Sequence, residues 1–206
     1  MTHSRSLVLE LQQLATDKRN DITDLLRKSL LVATKLRIDD FRDWINKELY
    51  GYGDAEVPAY RTARAELRAR NPYRGLIPYL IEDRRIADQL LNIKMREGIG
   101  TYVHVLENVA GTSGRLTVQL SPDEMSFLME GQDIPLEPVR LVGRSALAAV
   151  IDTVRTTILE WALKLEAEGI LGEGLTFSEE EKQKAAASTE IRFIRLKRAQ
   201  TQTVTR

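Results

Sequence analysis

The chain has 206 residues, of which 43% are hydrophobic and 29% are charged, as in ordinary soluble globular proteins. Its 30 basic and 30 acidic side chains give a formal net charge of zero, which excludes a protein that binds nucleic acid through an overall basic charge. Cysteine is absent, so disulfides, thiol catalysis and thiolate metal sites are excluded.

Membrane insertion and secretion are not expected from this sequence. The longest apolar runs fall far short of the ~20 residues that a membrane-spanning helix needs. Glu10 and the polar residues after it interrupt the first apolar run, so the segment does not read as a secretory signal core. We therefore predict a cytoplasmic protein.

Three amphipathic helices are predicted in the first 50 residues. Apolar residues recur at spacings of three and four over residues 6–16, from 21 or 23 to 36, and over 39–50. Acidic residues at the start of the third helix suit its positive end, and Gly51 and Gly53 end it. We expect these segments to form a helical N-terminal hairpin.

The middle of the chain changes to a period of two. From Tyr60 to Arg70, alanine and leucine alternate with charged residues, which predicts a strand with one small apolar face. Alanine is a poor strand former, so a helix stays open as an alternative. Residues 71–75 predict a turn, and a second strand over 76–81 would lie at a sheet edge because of Pro78.

The next elements alternate between helices and strands. We predict a helix over 82–95, a strand over 115–120, a capping-box helix that starts at Ser121, and a strand over 136–142. The segment 101–109 fits either a helix or a strand. With the helices on either side, the pattern predicts an α+β fold with a small, mostly antiparallel sheet.

The longest predicted helix runs from about residue 144 to 168. Its apolar residues form a seam that fits packing along a partner helix, which could belong to this chain or to another subunit. We favour packing within the chain, because globular cores routinely produce this pattern. The candidate interface residues of the seam are Leu147, Ile151, Val154, Ile158, Trp161 and Leu165.

Glycines at 169, 172 and 174 mark a predicted domain boundary. We expect a globular domain over 1–170, and a linker, a short capping-box helix and a basic tail over 171–206. The tail is a candidate nucleic-acid contact because of its local excess of positive charge. Its basic residues are Arg192, Arg195, Lys197 and Arg198.

A second candidate for nucleic-acid contact is the basic strand between Arg61 and Arg74. On one strand face, Arg64, Arg68 and Arg70 could contact phosphates, and Tyr73 could stack on a base. The alternative is a solvated sheet face whose charge acidic neighbours partly offset.

Other clusters are better explained as structure. The aromatic residues Trp44, Tyr50, Tyr52 and Tyr60 fit a core or a turn. His104 has only Glu107 nearby as an acid–base partner. The acidic residues near the third helix lack a metal-ligand spacing, so we predict no metal, cofactor or catalytic residue. These acids are Asp39, Asp40, Asp43 and Glu48.

The segment 24–61 resembles the AbiTii family, which is named after a component of a bacterial phage abortive-infection system. The matching stretches are Leu25-Leu26-Arg27-Lys28-Ser29-Leu30-Leu31-Val32-Ala33, Trp44-Ile45-Asn46-Lys47-Glu48-Leu49-Tyr50-Gly51-Tyr52 and Val57-Pro58-Ala59-Tyr60-Arg61. A looser resemblance covers 5–170, and residues 177–185 are similar to the linker that often follows this domain. The chain departs from the usual pattern after Ala187, where a short basic tail follows.

The resemblance implies a role in antiphage defence and carries no catalytic residues over to this chain. We therefore expect a non-catalytic component of an abortive-infection system that acts as an association module. Its expected partner is a second copy or another protein of the defence system. The alternative is a nucleic-acid-binding effector or regulator that uses the Arg61–Arg74 strand and the basic tail.

Overall fold

A computed structural model describes residues 6–108, 115–130, 136–185 and 187. The described helices and strands confirm the α+β class. The helices are α1 Leu7–Thr16, α2 Ile22–Lys35, α3 Asp39–Tyr50, α4 Arg84–Leu91, α5 Ile99–Glu107, α6 Pro122–Met129, α7 Arg144–Ala167 and α8, whose described part begins at residue 179. The strands are β1 Thr62–Arg64, β2 Glu66–Asn71, β3 Gly75–Pro78, β4 Asn92–Lys94, β5 Leu116–Val118 and β6 Glu137–Val142.

The chain divides into two compact units. The first draws its described residues from Met1–Glu56, Glu97–Gly100 and Ile151–Arg206, and the second from Val57–Arg96 and Thr101–Val150. The first unit therefore contains α1, α2, α3, α8 and most of α7, and the second contains all six strands, α4 and α6. The predicted boundary at residue 170 is a different division of the chain and stays a prediction.

Side-chain caps begin the N-terminal helices of the first unit as the sequence predicts. The Ser6 hydroxyl accepts from the Leu9 N–H, and the Asp21 carboxylate accepts from the Asp24 N–H. Aromatic rings fill the core behind them. Phe41 stacks on Trp161 with 4.0 Å between ring centroids and on Trp44 with 5.1 Å. The core position predicted for Trp44 is therefore confirmed.

The apolar seam of α7 lies in the interior. Leu147, Val154 and Ile158 are fully buried, and Trp161 and Leu165 are each 2% exposed. Ile151 is partly exposed. The packing thus takes the first of the two alternatives, in which the seam faces the chain's own core.

The four-stranded sheet of the second unit has the order β3-β2-β6-β5, and every pair is antiparallel. A separate pair joins β1 and β4, with Ala63 opposite Ile93. One prediction for this region is wrong, because the expected strand over 60–70 is split. Residues 59–61 form a 3₁₀ turn, and Ala65 separates β1 from β2, which belong to different sheets.

The helix predicted over 82–95 is also shorter than expected. It ends at Leu91, whose carbonyl accepts from the Ala65 N–H at 2.8 Å, and the chain continues as β4. Pairing with β1 therefore replaces the last helical turn. Local periodicity cannot predict this exchange, because the partner strand lies about 30 residues away.

Capping carboxylates make the stability of both units pH-dependent. Glu124 accepts from the Ser121 N–H at 2.7 Å, and Glu181 accepts from the Ser178 N–H at 2.8 Å and the Gly172 N–H at 3.0 Å. Burial alone would raise the pKa of either carboxyl. These hydrogen bonds outweigh burial, so both pKa values lie below the ordinary 4.5.

A depressed pKa in the folded chain means that the ionised carboxylate contributes stability above the unfolded pKa and that this contribution is lost as pH falls. We expect the free energy of unfolding to decrease between about pH 5 and pH 3. The Glu124→Gln/Glu181→Gln variant should be less stable at neutral pH by about 1 kcal/mol per site and should show a shallower decrease. Urea denaturation across this pH range tests the expectation, with exposed Glu56→Gln as the control. Equal slopes for both variants would contradict it.

Candidate functional site

The β2–β3 hairpin carries the most exposed large apolar side chains of the second unit. Its turn is built by Asn71, whose side-chain oxygen accepts from the N–H groups of Tyr73 and Arg74 at 2.9 and 3.0 Å. Gly75 follows with a φ of 70°, a conformation that glycine adopts without strain. This turn holds the Tyr73 ring away from the protein, where it is 94% exposed.

The chain after β3 repeats this exposure. Tyr79 and Ile81 pack against the core cluster of Leu67, Leu90 and Leu128, and the Tyr79 hydroxyl donates to the Leu128 carbonyl. Leu80 lies between these two inward-facing residues and is 85% exposed.

Strand β3 forms one edge of the four-stranded sheet. The Tyr79 N–H donates to the Leu67 carbonyl, so the antiparallel alternation turns the backbone groups of Leu76 and Pro78 outward. Proline has no N–H, and the strand has only four residues, so the edge is a poor template for strand addition. Side chains are therefore its main means of contact, among them Leu76, which is 45% exposed.

The strand arginines predicted as phosphate contacts have acidic partners. Arg64 pairs with Asp88 at 2.7 Å, Arg68 with Glu66 at 3.0 Å, and Arg70 with Glu137 at 3.0 Å. Such exposed pairs add only about 0–1 kcal/mol of stability each. They do, however, neutralise most of the positive charge that this face would offer to a phosphate.

Arg61 requires a correction, because the predicted basic strand included it. Its side chain is fully buried and donates to the Met95 carbonyl and to the Tyr102 hydroxyl, both at 3.1 Å. Its guanidinium also lies over the Tyr102 ring, 5.3 Å from the centroid. A buried, hydrogen-bonded arginine cannot contact phosphate, so the Arg61–Arg74 segment does not form a single basic face.

Three other basic side chains lie near the hairpin in the sequence and are exposed. Arg74 is in the β2–β3 turn, and Arg84 and Arg85 begin α4, shortly after Leu80. None of them has an acidic partner within ion-pairing distance among the described residues. We call Tyr73, Leu76 and Leu80, together with these three arginines, the hairpin surface.

The remaining candidates are dispersed. His104 is exposed, and its Nδ1 lies 3.0 Å from the Asn108 side-chain amide. Asp39 pairs with Arg42 at 3.0 Å, and buried Glu48 accepts from the Tyr52 hydroxyl at 2.6 Å. Within the described ranges, no three His, Cys, Asp or Glu side chains are grouped as metal ligands. The basic tail, Arg192 to Arg198, lies outside the described residues.

Sequence reasoning recognised the turn at 71–75 but missed the apolar hairpin surface. A tyrosine inside a turn of polar and glycine residues is the signal that could have indicated it, because a turn buries little side-chain area. Leu80 gave no such signal. Its exposure depends on the inward packing of its two neighbours.

A model of the AbiTii family matches residues 6–190. The chain belongs to the AbiTii family. This membership confirms the resemblance seen in segment 24–61, and the family name indicates a role in abortive infection. No curated protein and no solved structure matches the chain. Within the described part of this AbiTii chain, no helix is both long and apolar enough to cross a membrane.

Proposed function

We propose that this AbiTii chain is a non-catalytic component of a bacterial antiphage abortive-infection system. It acts by binding a protein partner through the hairpin surface. The observation that carries the proposal is the exposure of Tyr73 and Leu80, at 94% and 85%, on a hairpin whose backbone is held by a side-chain-capped turn. Large apolar side chains held this far into water are typical of interaction sites.

The charge distribution favours protein over nucleic acid as the partner. Nucleic-acid binding requires several cationic side chains that are free to displace counterions from phosphates. Arg64, Arg68 and Arg70 are instead paired with carboxylates, at 2.7 to 3.0 Å. Aromatic and aliphatic anchors with a charged rim are typical of protein–protein contacts.

The α7 seam is not the surface that this proposal uses. Its side chains already face the core, and exposing Trp161 or Ile158 to a partner would open the first unit. The association module that the sequence suggests therefore needs another contact surface, and the hairpin supplies one in the second unit.

The test is the Tyr73→Ser/Leu80→Ser variant in a phage challenge. Removing two anchors should weaken partner binding by about 10- to 100-fold or more, at roughly 1–2 kcal/mol for each anchor. We expect cells that carry the variant to lose protection and to give plaque counts close to those of cells without the protein. Protein level and the melting temperature should stay close to wild type, because both side chains are exposed.

The matched control is Phe127→Ser/Leu175→Ser, which replaces two large apolar residues that are 51% and 59% exposed elsewhere. This control should keep protection. Unchanged protection in the Tyr73→Ser/Leu80→Ser variant, at a normal protein level, would refute the proposed role of the hairpin.

A further inference from the structure

The zero net charge of the chain conceals a separation of charge between its two units. The described residues of the first unit carry nineteen acidic and twelve basic side chains. Those of the second unit carry twelve basic and nine acidic side chains. A basic surface on one copy therefore has an acidic counterpart on any other copy.

The hairpin surface is the basic member of this pair. Arg74, Arg84 and Arg85 are exposed without acidic partners among the described residues, beside the apolar anchors Tyr73 and Leu80. Arg84 and Arg85 occupy the first turn of α4, where the helix dipole disfavours cations. Residues that oppose a local preference are expected where function requires them.

The exposed face of α3 is the acidic member. Asp43 and Tyr50 are seven residues apart and so lie on the same side of the helix, where Tyr50 is 80% exposed. Asp40 precedes them and Glu56 follows the helix, and both are exposed. None of these three acids has an ion-pair partner among the described residues. Lys47 is the one cation between Asp43 and Tyr50.

We infer that the hairpin surface of one copy binds the exposed α3 face of a second copy. This inference rests on the proposed function and names the partner. Each surface has a protruding aromatic or aliphatic anchor and a rim of opposite charge, so the anchors provide most of the affinity and the charges provide orientation and association rate. The chain's own basic tail is a poor occupant of the hairpin surface, because Arg192, Arg195 and Lys197 would face cations.

Every copy carries both surfaces, so the contact joins two different patches. Two copies that exchange both contacts form a closed dimer, and copies that exchange one contact at a time extend into a larger assembly. In either case the molar mass rises with protein concentration. The charged rim should also make the association weaker at high salt, because salt screens exposed charges.

Charge reversal tests the inference on the full chain by light scattering over a concentration series. Arg84→Glu/Arg85→Glu places acids opposite the acidic α3 face, and Asp43→Lys/Glu56→Lys places cations opposite the basic hairpin. Each variant alone should raise the dissociation constant at least 10-fold. The chain that carries all four substitutions should recover self-association, because both surfaces are then reversed together. Arg84→Glu/Arg85→Glu should not lower the melting temperature, since acids suit the first turn of α4.

The outcomes separate this inference from the proposed function. Self-association that is unchanged in both double variants would overturn the inference, as would a strict monomer at all concentrations. If protection is still lost in Tyr73→Ser/Leu80→Ser, the hairpin serves another protein and the proposed function stands. Failure of the four-substitution chain to reassociate, although it is folded by circular dichroism, would also overturn the inference. A double variant that loses binding to a single-stranded oligonucleotide without a change in mass would replace the second copy with nucleic acid.

Discussion

Replacing Arg140 with methionine should lower the free energy of unfolding by about 3–5 kcal/mol. Arg140 lies in the central strand β6 and is 8% exposed. Its guanidinium donates to the Leu90 carbonyl at 3.0 Å, the Gln119 carbonyl at 2.7 Å and the Glu124 carboxylate at 2.9 Å. Methionine fills a similar volume but leaves these acceptors without their donor.

The controls for Arg140 separate its hydrogen bonds from its charge. Arg140→Lys keeps the charge but has a single donor group, so it should lose an intermediate amount of stability. Arg115→Met removes an arginine whose side chain is 39% exposed and which pairs with Glu66 at 3.4 Å, and it should cost less than about 1 kcal/mol. Urea denaturation measures all three variants. A loss for Arg140→Met no larger than that for Arg115→Met would show that the three contacts contribute little.

The predictable part of the fold is the part that local patterns determine. The helix bounds of α1, α2 and α3 follow from apolar spacing, a serine or aspartate cap on the first two, and glycine at 51 after the third. The capping box at Ser121 and the edge position of β3 also follow from a few neighbouring residues. In each case the structure-determining interaction joins residues within about one helical turn or one strand.

The buried arginines are the part that could not be predicted. Arg61, Arg140 and Arg155 look like any surface arginine in the sequence, and each is at most 9% exposed. Arg155 donates to the Asn20 carbonyl at 2.7 Å and to the carbonyls of Leu14 and Asp17, at the loop between α1 and α2. Its acceptors are backbone atoms more than 130 residues away, so the sequence near Arg155 contains no sign of them.

The same reasoning explains why the candidate site was only half predicted. The charged face of β2 was predicted from its alternation, and the structure places Glu66, Arg68 and Arg70 on it as expected. Whether those arginines are free depends on Glu137 and Asp88, which arrive from β6 and α4. A surface can therefore be read from one strand, but its net charge requires the neighbouring elements.

Replacing Trp161 with alanine should lower the free energy of unfolding by about 3–5 kcal/mol, as for other buried tryptophans. Trp161 is 2% exposed, and its ring centroid lies 4.0 Å from that of Phe41, with 26° between the ring planes. Trp161→Phe should cost less than about 1.5 kcal/mol, because the Nε1–H has no acceptor among the described residues and its removal breaks no hydrogen bond there.

Leu163→Ala is the matched control for Trp161, since it lies on the same helix but is 48% exposed and should cost less than about 1 kcal/mol. The measurement also decides between the two interpretations of the α7 seam. A core residue destabilises each chain by the same amount at every protein concentration, whereas an interface residue has an effect that grows with concentration, because assembly contributes by mass action. We expect melting temperatures of Trp161→Ala that are lowered equally in dilute and concentrated samples. A loss that appears only in the concentrated sample would assign the seam to an interface between copies.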